Sequence, residues 1–408
     1  MNVRVSTVSA AVLAATLTAT SCTIGGEAAV DESPLAPTEA QAEYAEPELP
    51  PAERGELLEA GPFIDLSPGI ASRSADSQRI TYRSTSGLDG SPTEVTGALF
   101  VPQGAPPEGG WPVISYAHGT TGVARECGPS QYPDMLGQAA RINSLLDSGY
   151  AVVATDYEGL GGSLDETAHP YLEPATAAYN VIDAVRAARA ANDAIGTQWG
   201  AVGVSQGGQA VWAASEQADE YGAGLRFAGS VAISPAADLT PIAEPEPPWA
   251  LDLFQLALLP YVIAGFQAAD PSVEFDDYLR GGLAGGFGSL ETCVRDNWLN
   301  SALALLQSSP EDVGPFSDDA TDAVRAWLDD IALPRGTSDG PLLVLYGDRD
   351  TVVPAEWTAR AVQRACESGT VIEAVLIPGA DHFNLNGTQE VLEWLDARLR
   401  GVPALSTC

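Results

Sequence analysis

A serine set among glycines, Gly203-Val204-Ser205-Gln206-Gly207-Gly208, follows the apolar run Ala201–Val204. The run reads as the end of a buried strand, and the glycines as a turn opening a helix. A serine on so sharp a turn carries its hydroxyl out of the sheet, while glycines on either side, lacking Cβ, let strand and helix approach closely. The N–H of Gln206, at the helix start, would then face an oxyanion forming on a carbonyl attacked by Ser205. Five residues of this kind also arise by chance, so their weight depends on partners elsewhere in the chain.

A serine hydroxyl is a weak nucleophile at neutral pH and needs an adjacent base, itself oriented by a third group. The chain has three histidines, His118, His169 and His382. On a parallel sheet carrying such an elbow, nucleophile, acid and base follow in that order. Only His382 lies downstream of Ser205, in a loop directly after a strand-like run, and it is the expected base. Asp350, in Gly347-Asp348-Arg349-Asp350-Thr351-Val352-Val353-Pro354, is the expected orienting acid. Asp348 is the fallback, and Asp381, adjacent to His382, is the third choice.

The second oxyanion donor should come from the loop after an earlier strand, His118-Gly119-Thr120-Thr121-Gly122, through the backbone N–H of Thr120 or Thr121. His118 is expected to shape that loop. His169 reads as an exposed loop histidine, with a place at the border of the pocket as the alternative, and Tyr157 and Glu158 either line the site or turn the chain. No histidine pair has metal-ligand spacing and no C-x-x-C occurs, so neither a metal nor another cofactor is expected.

These residues need elements to hold them. Arg79–Thr85 and Val95–Val101 read as two strands joined by a turn, and Pro112–Ala117 as a third ending in the His118 loop. A helix is expected over Met135–Asp147, then the strand Ala151–Thr155, then an Ala-rich helix over Pro174–Ala194. The strand Ala201–Val204 feeds Ser205 into a helix over Gln209–Tyr221, and Phe227–Ile233 is a further strand. The alternation resumes with strands Pro341–Tyr346 and Val371–Ile377 and helices Glu356–Glu367 and Thr388–Arg400, the last with Thr388 as its N-cap. Short apolar strands alternating with amphipathic helices imply an α/β fold, a mainly parallel central sheet with helices on both faces. Sites on such sheets form beyond the carboxyl ends of strands, where His118, Tyr157 and Ser205 all fall.

Between Ala236 and about Pro334 the strands stop. Trp249–Phe266 is strongly apolar, but Asp252, Gln255 and Pro260 interrupt it, which argues against a membrane span. A helical cap inserted over the site, at 236–335, is the expectation; a helical satellite with its own core is the alternative. The core is then split into 61–235 and 336–408.

The 408 residues carry a formal charge of −36, and all 19 basic residues are arginine. Such a chain repels phosphate backbones, which excludes nucleic acid as an expected partner. Arg4 and the apolar stretch Val8–Ala19 read as a signal peptide over 1–21, too short to span a bilayer. Ala19-Thr20-Ser21-Cys22 resembles a lipoprotein cleavage box, making Cys22 a candidate lipid anchor, with plain secretion as the alternative. Residues 22–60, acidic and Pro-rich with almost no Ile, Phe or Trp, read as a disordered tether. Four cysteines remain, Cys127, Cys293, Cys366 and Cys408, and an even number in an exported chain favours two disulfides of open pairing.

The motifs Tyr116-Ala117-His118-Gly119-Thr120-Thr121-Gly122, Cys127-Gly128-Pro129-Ser130, Asp156-Tyr157-Glu158-Gly159-Leu160-Gly161 and Gly203–Gly208, with the Asp350 turn and His382, resemble the secretory lipase family of α/β-hydrolases, the group similar to lipase A of yeasts. The resemblance spans Gly61 to Cys408. It implies the α/β-hydrolase fold, lipase or esterase activity on acylglycerols, a helical cap after the sixth central strand, and the pairings Cys127–Cys293 and Cys366–Cys408. The acidic tether and the Cys22 anchor depart from the fungal members. The expectation is a monomeric, exported serine ester hydrolase. A peptidase or acyltransferase on the same fold and a non-catalytic envelope lipoprotein are the alternatives.

Overall fold

The computed structural model describes residues 44–162, 167–243, 251–285, 292–295, 309–385 and 387–408. The expected signal peptide 1–21, Cys22, the first part of the tether and, in the apolar stretch, Trp249 and Ala250 lie outside the described residues.

Among the described residues there are nine strands: β1 (Leu57–Pro62), β2 (Ser74–Thr85), β3 (Pro92–Pro102), β4 (Trp111–Ala117), β5 (Ala151–Thr155), β6 (Ile195–Val204), β7 (Arg226–Ile233), β8 (Leu342–Gly347) and β9 (Ile372–Ile377); β5 and β8 are short runs rich in Val, Leu and Ala, whereas β2 is long and largely polar. They make one sheet in the order β1-β2-β3-β5-β4-β6-β7-β8-β9. The first three are antiparallel, and β3 runs antiparallel to β5. From β5 through β4 to β9 every neighbour is parallel. Helices cover both faces of this part, so strands such as β4 and β5 are apolar on both sides.

Among the described residues seven principal helices follow in chain order: α1 (Ala139–Asp147), α2 (Pro174–Ala191), α3 (Gln206–Ser215), α4 (Leu253–Ala269), α5 (Asp318–Ile331), α6 (Ala355–Glu367) and α7 (Thr388–Leu399). On one face α2, α3 and α6 pack with Val113, Val153, Trp199 and Val344. On the other, α1 and α7 pack on Phe100, Ile114, Val152, Val231 and Leu345. The parallel β5 to β9 region and its two helical layers are an α/β-hydrolase fold, with β1 as an added outer strand.

The local differences from expectation have local causes. The helix expected from Met135 starts at Ala139, because Met135 and Leu136 sit at φ 54° and 50°, a left-handed conformation that no α-helix contains. The helix expected from Gln209 begins at Gln206, directly after Ser205, and ends at Ser215. Gly387, not Thr388, occupies the N-cap position of α7, and its carbonyl takes the first helical bond from Val391.

The folded chain also starts earlier than Gly61. Leu49 is buried, the Glu48 amide donates to the Gly90 carbonyl, and the Tyr44 hydroxyl donates to the Glu216 carboxylate at 3.0 Å. The segment 44–60 falls in the expected tether because it has too few large apolar residues for a core of its own. It needs none: it borrows the edge of the sheet, where backbone bonds and a few docked side chains offset its ordering entropy.

Among the described residues of 236–335 the β-pairing is one isolated bridge, Leu279 to Val313. Asp252 does not interrupt the apolar stretch but starts α4, its carboxylate accepting from Phe254 and Gln255 amides while Gln255 reaches back to the Asp252 N–H. Pro260 lies inside the continuous helix. Among the described residues no helix is long and apolar enough to cross a membrane. Leu259, Ile263, Phe266, Tyr278, Val324, Trp327 and Leu328 form an apolar cluster that also takes in Tyr171, Leu172, Val352 and Val353 from the core domain. The disulfide Cys127–Cys293 ties the loop after β4 to this insertion, and Cys366–Cys408 ties the end of α6 to the C-terminus.

Candidate active site

Ser205 stands between β6 and α3 at φ 57° and ψ −115°. That backbone conformation is costly for a residue with a side chain and persists only where neighbours over-determine it. The Ser205 N–H donates to the Ile233 carbonyl at 2.9 Å, and the Ser205 carbonyl accepts from Gln209 and Ala236 at 3.1 and 3.2 Å. The glycines supply the room. A Cβ on Gly203 would run into the Gly207 carbonyl, and one on Gly207 into the Ala117 carbonyl.

Beyond β8, Asp350 Oδ1 accepts from the Val352 and Val353 amides, both at 2.9 Å. Its Oδ2 lies 2.7 Å from His382 Nδ1, in the turn after β9. The other ring nitrogen, Nε2, is 3.0 Å from Ser205 Oγ. A carboxylate at Nδ1 fixes the proton there, which leaves the Nε2 lone pair toward the serine hydroxyl. That arrangement can take a proton from the hydroxyl as it attacks.

The other carboxylates are engaged elsewhere. Asp348 Oδ1 accepts from the Gly379 amide at 2.6 Å, steadying the loop that carries His382. Asp381 Oδ1 accepts from the Phe383 and Asn384 amides, both at 2.9 Å, and so closes its own turn.

Gln206 is the first residue of α3, so its N–H lies ahead of the helical bonding pattern and is free to serve a ligand. The loop after β4 passes close by: a Cβ on Gly119 would sit 3.7 Å from Ser205 Cβ. Thr120 is partly exposed and its hydroxyl meets that of Tyr171 at 2.6 Å. Thr121 is buried, and its carbonyl accepts from the Val294 amide at 2.8 Å.

His118 is buried against Tyr157, ring centroids 4.5 Å apart, with Nδ1 2.7 Å from the Gly119 carbonyl and Nε2 3.3 Å from that of Asp156. Tyr157, at φ 69°, donates its hydroxyl to the His118 carbonyl at 3.0 Å. Burial lowers the His118 pKa, so a neutral ring braces the loop from behind. The Glu158 amide donates to Asn180 Oδ1 and turns the chain.

His169 differs from expectation. It is 4% exposed, with Nδ1 2.7 Å from the Glu158 carbonyl and Nε2 3.0 Å from Gln206 Nε2. Desolvation pushes its pKa down to about 4. The segment reads as an exposed loop because His-Pro-Tyr is short and lacks periodicity. Two aromatics at the carboxyl edge of the sheet, just ahead of a Pro-initiated helix, were the available signal for burial. Among the described residues no group of three or more His, Cys, Asp or Glu could hold a metal ion.

The solved structures similar to this one include lipase A of Candida antarctica in its closed state, with TM-score 0.67 and 16% identity over 87% of this chain and 84% of that one. They also include a rice cell wall degrading esterase, LipA of Xanthomonas oryzae, with TM-score 0.67 and 20% identity over 86% and 96%. At such identities these matches speak for the fold. In sequence, a lipase A of Arthroderma benhamiae is 24% identical over 424 residues, covering 92% of this chain and 82% of that protein. The family model described as secretory lipase matches residues 136–407, which contain Ser205, Asp350 and His382. The match takes in most of the chain, and the chain therefore belongs to the secretory lipase family, a hydrolase of the lipase and esterase kind.

Proposed function

We propose that the protein is an exported serine carboxylic-ester hydrolase that cleaves acylglycerols or related lipid esters through an acyl-enzyme. The observation that carries this reading is the continuous relay from Asp350 through His382 to Ser205, at 2.7 and 3.0 Å. Ser205 Oγ attacks the ester carbonyl and His382 Nε2 takes its proton. The tetrahedral oxyanion is held by the Gln206 amide and the Thr120 amide, Thr120 being preferred over Thr121 because it is the more open of the two. His382 then delivers the proton to the leaving alkoxide, and the acyl group stays on Ser205. Water, deprotonated by the same nitrogen, releases the acid and restores the serine. Asp350, 2.7 Å from Nδ1, steadies the imidazolium.

A lipid ester is favoured by exposed apolar side chains on Phe383, next to His382, and at the start of α4. Phe383 is 67% exposed, Leu253 67% and Phe254 53%, and the Phe254 and Phe383 rings lie 5.2 Å apart. Two of these residues come from α4, which supports reading 236–335 as a cap with an apolar face toward the acyl chain.

Ser205→Ala should lower p-nitrophenyl ester hydrolysis by several orders of magnitude. Near-full activity in that variant would sink the mechanism. Run on short esters, long esters and aminoacyl amides, the same assay separates lipase from esterase and both from peptidase. Activity collapsing beyond butyrate would refute the long-chain preference. The family's secretory character supports export, with residues 1–21 as the signal and Cys22 as the anchor. Cys22→Ala should then move the protein from the membrane fraction to the soluble one, and an unchanged distribution would reject the anchor.

A further inference from the structure

The turn His169-Pro170-Tyr171-Leu172 reaches both the first turn of α3 and the loop after β4. His169 Nδ1 faces the Glu158 carbonyl at 2.7 Å. A carbonyl only accepts, so Nδ1 carries the proton and Nε2 offers a lone pair. The Gln206 side-chain amide donates to that lone pair at 3.0 Å. Two residues on, the Tyr171 hydroxyl meets the Thr120 hydroxyl at 2.6 Å. The Leu172 carbonyl accepts from Gln209 Nε2 at 3.0 Å. One turn thus grips the first turn of α3 at two points and the loop after β4 at a third.

The turn itself is firmly held. Leu172 adopts φ 66°, the Tyr171 amide donates to the His169 carbonyl and the Glu173 amide to that of Pro170. Glu173 caps α2 through the Ala175 and Thr176 amides. Tyr171 and Leu172 are also part of the apolar cluster that includes α4 and α5.

We propose that His169 and Tyr171 are positioning residues, fixing the Gln206 and Thr120 amides as oxyanion donors relative to Ser205. The inference rests on the serine-hydrolase reading above. Oxyanion donors are effective only when preorganised at hydrogen-bonding distance from the developing charge. The Gln206 amide belongs to a helix end, which has no intrahelical bond to hold that N–H in direction. Tying the Gln206 side chain to His169 restrains the same residue from the other side. Burial keeps the His169 ring neutral, so its acceptor is not lost at working pH.

The test uses the full-length protein and the variants His169→Phe, His169→Gln, Tyr171→Phe and Ser205→Ala. For each, kcat and KM on p-nitrophenyl butyrate, the Ki of a trifluoromethyl ketone and the thermal midpoint are measured. The ketone forms an oxyanion on Ser205, so its affinity reports the hole directly. Losing a donor outright costs about 100- to 1,000-fold, so misplacing one by His169→Phe should lower kcat about 30-fold. KM should change less than about threefold and ketone affinity should fall by a similar factor to kcat. His169→Gln, whose amide oxygen restores an acceptor, should recover most of both, and Tyr171→Phe should lose about tenfold in both, again less than removal of a donor.

If Ser205→Ala is inactive while His169→Phe and Tyr171→Phe keep wild-type kcat and ketone affinity, the positioning role is wrong and the hydrolase reading stands. A kcat loss without a loss of ketone affinity, or one that His169→Gln does not relieve, also overturns it. If Ser205→Ala remains active, the hydrolase reading fails and takes this inference with it. Should His169→Phe not fold, Tyr171→Phe decides by the same two readouts.

Discussion

Replacing Asp350 by asparagine changes one atom yet should remove the base. The buried side chain has two fixed obligations: Oδ1 accepts from the Val352 and Val353 amides at 2.9 Å each, and Oδ2 faces His382 Nδ1 at 2.7 Å. In Asp350→Asn the amide oxygen must stay with the two backbone donors, because turning it away would strand both in a buried site at about 1–3 kcal/mol each. The amide NH2 therefore faces Nδ1, where a second N–H cannot be accommodated. Moving the imidazole proton to Nε2 strands nothing and is the cheaper response. The ring then presents an N–H, not a lone pair, to Ser205 Oγ at 3.0 Å. A triad held in the wrong tautomer loses about 10⁴ in kcat, equivalent to about 5 kcal/mol of transition-state stabilisation. The assay is p-nitrophenyl butyrate hydrolysis at pH 7 with the thermal midpoint as a control for folding. Asp348→Asn is the comparison: its bond is accepted from the Gly379 amide, which an amide oxygen serves as well, so kcat should stay within about threefold of wild type. A folded Asp350→Asn enzyme within tenfold of wild type, or an Asp348→Asn enzyme as impaired, would refute the assignment of the acid.

Gly203→Ala should destabilise the fold by about 3 kcal/mol or prevent folding, since the new methyl runs into the Gly207 carbonyl; an unchanged thermal midpoint would contradict the packing of the elbow. Desolvation raises the Glu216 pKa from 4.5 to about 7. Between those values the native state keeps a proton that the unfolded chain releases, so this residue makes stability fall as pH rises, by about 3 kcal/mol in full. Glu216→Gln should remove that slope, and denaturant midpoints of the two proteins that run parallel from pH 4.5 to 7 would refute it.

The carboxyl ends of β2 to β9, and the placing of Ser205, Asp350 and His382 in the turns beyond three of them, could be read from the chain because they depend on local pattern. A run of four to eight residues rich in Val, Ile and Ala between turn residues is too short for most helices and reads as a strand buried on both faces, and the single histidine downstream of Ser205 left His382 without a competitor. The glycines at 203 and 207 gave the elbow for the same reason, since no other residue fits a turn so close to neighbouring carbonyls. Other features depended on contacts between segments far apart in sequence. Residues 44–60 look too poor in apolar side chains to fold, and they order by borrowing the sheet edge and the Glu216 carboxylate. The spacing of the turn ranks Asp350 ahead of Asp348 and Asp381 in the sequence, but the three carboxylates are chemically alike, and the backbone donors around each decide which one reaches His382. His169 has no periodicity to mark it, and its burial against Gln206, 37 residues away, exists only once the turn before α2 packs over the first turn of α3. Local propensity thus determined most of the elements and their order, while the edge strand β1 and the hydrogen-bond partners of individual side chains belonged to the tertiary structure, because these are assigned only when distant backbone segments meet.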